Sequence, residues 1–144
     1  VSERALALVD HLGAIGAEIS AATPSAQAAA RLLSVVVPFL EGTGFIARIA
    51  HVDRQVRLLA AEGLDAAARE LWDGLPVDAP LPLSEAIRTG AAVFTTGPLR
   101  RWAGQVPRLA GLPAADLDRI WAFVPVRWRG RVEAVLALAG MPHQ

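Results

Sequence analysis

The sequence predicts an α+β domain in which an antiparallel sheet is covered by helices, and three observations carry that prediction. The stretch 120–140, IWAFVPVRWRGRVEAVLALAG, reads as two apolar arms folded back on each other at Arg129-Gly130. Residues 2–40 place apolar side chains at helical spacing, and after Gly42 the period changes to that of strands. Connections this short join antiparallel neighbours, because a parallel pair needs a long crossover.

The last hairpin is the centre of the arrangement. Both arms are rich in β-branched and aromatic residues, and Gly130 suits the left-handed backbone position of a short hairpin loop. On the first arm Trp121, Phe123, Pro125 and Arg127 share one side, and Ala122, Val124, Val126 and Trp128 share the other. Neither side is polar before Arg127, so both faces of this strand are expected to be covered. Pro125 cannot donate to a sheet ladder, which predicts a bulge or an unpaired edge there.

Taken from the start, Leu8, Leu12, Ile15 and Ile19 fall in one stripe of a helix over 2–21. A stripe this narrow either covers the sheet or pairs with its copy in a second subunit, which makes these four residues the candidate dimer interface. Thr23 and Pro24 read as the N-cap and first position of a second helix over 24–40, with Ala28, Leu32, Val35 and Phe39 as its stripe and Pro38 and Gly42 as its stop. Strands are expected over 43–51 and 55–62, joined through Val52-Asp53-Arg54 and closed by Gly63. Phe45, Ala47 and Ile49 share one side of the first strand, with Arg48 on the opposite side. Asp65 reads as the N-cap of a short helix ending near Trp72. A proline-rich segment, Pro76, Pro80 and Pro82, leads into a helix over 84–89 closed by Gly90, with Leu83 and Ile87 on its apolar face. A short strand over 92–95 follows, and 99–118 is irregular or briefly helical, interrupted by Gly104, Gly111, Pro107 and Pro113.

Composition bounds the function. The 144 residues fit one domain over 1–144, with leading helices to residue 40, sheet and lids over 43–139 and a tail over 140–144. All 14 basic residues are Arg and are balanced by 14 acidic ones, so there is no basic excess of the kind a nucleic-acid surface shows. The absence of Lys, Asn, Tyr and Cys fits the codon usage of a GC-rich bacterial genome. Without Cys there is no disulfide, no thiolate nucleophile and no Cys-ligated metal. The longest apolar run, 32–40, is too short to cross a bilayer. No signal pattern opens the chain, so a cytoplasmic location is expected.

The order of elements resembles a GAF domain of the kind found in bacterial sensor histidine kinases and multidomain Ser/Thr phosphatases. The resemblance runs from about Leu8 to Ala139. It rests on the two leading helices, GTGFIARIAHVDRQVRLLAAEG as the first hairpin, PLSEAIRTGAAVF as helix, Gly and strand, and FVPVRWRGRVEAVLAL as the last hairpin. It implies a central antiparallel sheet of about six strands, leading helices on one face, and a small-molecule pocket roofed by loops and short helices on the other. It also implies a sensory role, homodimerisation through the first helix, and an output domain in a longer chain of which these residues are a fragment. The motifs of the better-known subfamilies are missing: the cyclic-nucleotide signature needs Asn and Lys, and bilin attachment and methionine sulfoxide reduction use Cys. The sequence also departs from the pattern at Ala134, where a Gly is frequent in the last strand, and in stopping at Gln144 without a terminal helix.

A search for chemistry in the residues themselves returns no catalytic or metal site. His11, His51 and His143 lack metal-ligand spacing; His51 could ligate haem or sit solvated in a turn. Ser84 reads as a helix cap, and Asp116 and Asp118 as capping or solvated carboxylates. Gly42 to Gly44 is not followed by a helix and is no phosphate loop. The expectation is therefore a non-enzymatic binding module of unknown cofactor. The candidate pocket comprises Phe45, Ala47, Ile49, Trp72, Leu83, Ile87, Phe94, Trp102, Trp121 and Phe123, with Arg48, Arg88 and Arg100 as polar anchors. The same aromatics would make an ordinary second core if that space is filled, leaving a dimerisation or docking module.

Overall fold

The computed structural model describes residues 26–40, 42–95, 97–128 and 130–140. The expected helix over 2–21, with its proposed dimer stripe, and the Thr23-Pro24 cap lie outside the described residues. Within them the elements run α1 (Ala26–Leu40), β1 (Thr43–Ala50), β2 (Gln55–Glu62), α2 (Ala66–Trp72), α3 (Pro82–Thr89), β3 (Val93–Phe94), two 3-10 turns (Leu99–Trp102 and Pro107–Gly111), α4 (Ala114–Leu117), β4 (Trp121–Trp128) and β5 (Arg131–Ala139).

Five described strands form one antiparallel sheet in the order β2-β1-β5-β4-β3. The β4–β5 hairpin lies within it as expected, with Trp128 opposite Arg131 and Gly130 between them at φ 78. Pro125 sits opposite Val135, and on its other side β3 pairs only Ala122 and Phe123, so the missing N–H falls on an open edge. The bulge comes between Val126 and Arg127, and a second lies between Ile46 and Ala47 of β1.

Side-chain alternation divides the sheet into two cores. Ile46, Val124, Val126, Ala134, Leu136 and Leu138 face α1 and pack with Ala29, Leu33, Val36 and Val37. Phe45, Ala47, Trp121, Phe123, Val135, Ala137 and Ala139 face the other way, under α2, α3 and the 3-10 turns. This is the expected division, with the leading helix on one side and the lids on the other. The register of α1 differs from the expected stripe. The buried positions are Ala29, Leu33, Val36 and Val37, while Val35 is 72% exposed and Ala28 and Leu32 are only half-buried. Two stripes one residue apart have the same 4, 3 spacing, so periodicity could not choose between them, and the near-continuous apolar run hid the difference. Pro38 lies inside α1 rather than ending it.

The lids start and stop where local chemistry allows. Asp65 caps α2 by accepting from the Ala68 N–H at 2.8 Å. Pro82 opens α3 at its first turn, where a missing N–H costs nothing, and Gly90 closes it in the left-handed region at φ 69. Ser84 does not cap this helix. It lies inside α3 with its hydroxyl buried and without a hydrogen-bond partner among the described residues.

Candidate functional site

The face expected to carry the pocket is filled. Phe45, Trp72, Trp121 and Phe123 are fully buried. Their rings meet at centroid distances of 4.8 Å for Phe45–Trp72, 5.5 Å for Trp72–Trp121 and 6.0 Å for Trp121–Phe123. These are the spacings of packed aromatic pairs. Leu83 and Ala47 are buried in the same cluster. The Trp121 indole N–H donates to the Asp116 carbonyl at 3.0 Å, and the Trp121 backbone N–H donates to the Thr95 hydroxyl at 3.0 Å, so this residue is held at both its ring and its main chain. Opening a ligand-sized cavity of ~300 Å3 here would cost about 7 kcal/mol at ~24 cal/mol per Å3. That is nearly the whole binding free energy of a micromolar ligand, about 8 kcal/mol.

Space lies instead at one end of the sheet, where three turns of the chain meet. Because β1 and β5 are antiparallel neighbours, the β1–β2 turn and the β4–β5 turn project from the same end, and the C-terminus of α3 arrives beside them. A cleft of about 390 Å3 lies between them, floored by Ile49, Val77, Ile87 and Val132 and rimmed by His51, Arg54, Arg88, Arg127 and Arg131. A second cleft of about 600 Å3 adjoins it through Arg54, Val77, Ile87 and Arg88, and runs along the proline-rich segment to Trp102, Gln105 and the buried Ser84.

The electrostatics of the first cleft are one-sided. No Asp or Glu is among its lining residues, whereas Asp78 and Glu85 line the second. Glu133, just outside, binds Arg131 at 2.6 Å and His51 at 3.2 Å. The Arg131 hydrogen bond is the main cause holding the Glu133 carboxyl below its ordinary pKa, against the opposing effect of burial and with a lesser contribution from His51. Arg127 donates to the Gly90 carbonyl at 3.3 Å, a neutral acceptor, and is in no ion pair among the described residues. Neither Arg54 nor Arg88 is in an ion pair among the described residues. Arg54 also occupies the left-handed region at φ 57, unusual for a residue with a side chain. Its carbonyl accepts from the Val77 N–H at 3.0 Å, which ties the proline segment to the hairpin tip.

Of the expected site residues, Ile49, Ile87 and Arg88 reach the first cleft, and Trp102 joins the second. Phe45, Ala47, Trp72, Leu83, Trp121 and Phe123 share one face as expected but form its core. Three others are elsewhere. Arg48 is exposed on the α1 side of the sheet, as strand alternation requires. Phe94 pairs with Ala122 and so faces the α1 side; Val93, opposite Phe123, takes its place over the core. Arg100 is held by Asp118 at 2.9 Å and lines neither cleft. Asp116 is buried rather than solvated, and burial raises its carboxyl pKa against the lowering effect of Arg119. Arg54, Arg127 and Arg131 were missed because Arg54 belongs to the β1–β2 turn, far in sequence from the β4–β5 hairpin that carries Arg127 and Arg131. The one local signal was an Arg at the position of the β1–β2 turn where Gly is usual.

Solved structures settle the architecture. The GAF domain of an Acinetobacter phosphoenolpyruvate-protein phosphotransferase superposes with a TM-score of 0.61 at 19% identity, covering 100% of this chain and 82% of that one. The chain has the GAF fold. The A. aeolicus nlh2 GAF domain, in an inactive state, gives a TM-score of 0.62 at 13% identity over 94% of this chain and 80% of that one. Free methionine-R-sulfoxide reductase from Neisseria meningitidis, in complex with its substrate, gives 0.62 at 15% identity over 100% and 80%. No family model matches the sequence, and no curated protein matches it. The GAF fold here keeps a covered sheet with lids, while among the described residues its sheet face is occupied by four aromatic rings and two clefts lie beside the hairpin tips and the proline-rich segment.

Proposed function

We propose that the chain is a non-catalytic sensory or regulatory domain that takes a small molecule in the cleft beneath α3. The carrying observation is the pairing of a filled sheet face with an open, apolar-floored and Arg-rimmed cleft whose 390 Å3 is in the range of ligand pockets. Occupancy would tie the α3 terminus to both hairpin tips. Ile49 on the cleft floor is three residues along β1 from Ile46, which packs against α1, so the strand links the site to the helical side. From there the signal would pass through the leading helix, by way of a homodimer, to an output domain. The lack of Cys in the sequence removes thiol chemistry from consideration.

Native and denatured mass spectra of the gently purified chain, with a thermal-shift screen of small metabolites, test this reading. A retained small-molecule mass, or a shift accompanied by hydrogen-exchange protection of 77–90 and 130–132, is expected. A ligand-free dimer that no metabolite shifts would replace it with the docking-module reading, which the filled aromatic face favours.

A further inference from the structure

We propose that the first cleft is an anion site for a small organic acid, whose carboxylate or phosphate is held by Arg54, Arg88 and Arg127 while its apolar body lies on Ile49, Ile87 and Val132. This rests on the reading above and names the chemistry of the molecule taken.

The chain has as many acidic as basic residues, 14 of each, so nothing in its composition prevents every Arg from finding a carboxylate. Among the described residues three do: Arg57 meets Asp53, Arg100 meets Asp118 and, on the cleft rim itself, Arg131 meets Glu133. At the cleft, Arg54 and Arg88 have no ion pair among the described residues, and Arg127 is met by a carbonyl alone. Like charges gathered without counter-charge repel, and an incoming anion relieves that repulsion and gains several charge-assisted donors together. Guanidinium suits the role because its planar fork matches carboxylate and phosphate.

Two backbone features hold the group in place. Gly90 has no Cβ where one would collide with the Arg127 guanidinium, so the α3 terminus and the β4 side chain can approach each other. Arg54 keeps a left-handed backbone that glycine would adopt without strain. A strained backbone at a site rimmed by unpaired charge points to selection for the side chain rather than for the turn. The apolar floor decides between a bare inorganic ion and an organic one. Ile49, Ile87 and Val132 offer an inorganic anion nothing, and in contact with water they favour a ligand with a hydrocarbon part.

Titration calorimetry at low ionic strength with phenylacetate, phenyl phosphate, inorganic phosphate and the neutral phenylacetamide tests the proposal. Either aromatic anion is expected to bind and to be weakened by salt, and the stronger of the two assigns the head group. Arg54→Gly and Arg88→Gln are each expected to weaken that anion at least tenfold. Arg54→Gly should melt no lower than the parent chain, which separates loss of binding from loss of fold. Anion affinity unchanged in both variants would overturn the proposal, and so would inorganic phosphate binding as well as phenyl phosphate. Phenylacetamide binding in place of the anions would overturn it while leaving the sensory reading intact. Failure of every probe, together with a ligand-free native mass spectrum, would remove both.

Discussion

Trp72 and Trp121 are both fully buried, yet only one has a hydrogen-bond partner among the described residues. The Trp121 indole N–H donates to the Asp116 carbonyl, whereas the Trp72 indole nitrogen is buried without an acceptor. A buried, unpaired donor carries a desolvation penalty of ~1–3 kcal/mol, and a satisfied one contributes about 1 kcal/mol net. Trp121→Phe is therefore expected to destabilise by roughly 1–3 kcal/mol more than Trp72→Phe, measured by urea unfolding. Equal losses would show that the Asp116 bond does not contribute. Glu133 provides a pH-dependent prediction at the same scale. Its pKa is lower in the folded chain than in the unfolded one, chiefly through Arg131, so its contribution is present above the ordinary carboxyl range. That contribution is lost as pH falls through the depressed folded value. Stability curves of the parent and Glu133→Gln should accordingly differ most near neutrality and converge in acid.

At the scale of elements, α1 is the clearest case of a helix whose existence was legible and whose orientation was not. Its apolar run gave two stripes of equal spacing, and contact with Ile46, Val124 and Leu136 selected the one through Leu33 and Val36. Leu33→Ala is expected to cost about 2–5 kcal/mol by leaving a cavity. Val35→Glu, at an exposed position, should change stability by less than ~0.5 kcal/mol. The reverse order in denaturant melts would restore the stripe first expected. The α3 terminus makes the second prediction. Gly90→Ala forces a side chain into the left-handed region, at about 1–2 kcal/mol, and displaces Arg127. Thermal unfolding should fall by several degrees, and anion binding at the cleft should weaken with it.

For the whole molecule, the fold was legible because its signals are local: alternation along β1, β4 and β5, the Asp65 and Gly90 caps, and the Arg129-Gly130 turn. The division of the sheet into a helix side and a lid side followed from the same alternation. Whether the lid side held a cavity or a core depended on how Phe45, Trp72, Trp121 and Phe123 fit together across three elements, and no spacing encodes that. The cleft was harder still, since it exists only where turns 36 to 77 positions apart, at Arg54, Gly90 and Arg131, reach one end of the sheet. A ligand held there should stabilise the entire domain. At one hundred times its dissociation constant it would add about 2.7 kcal/mol, which thermal unfolding would show as a rise of roughly 5–10 °C that added salt reverses. The 5.5 Å separation of the Trp72 and Trp121 rings has an optical consequence. One indole is at the end of α2 and the other begins β4, so their electronic transitions couple only while that helix is seated. The resulting exciton couplet in circular dichroism is a built-in gauge of lid seating, readable without any label.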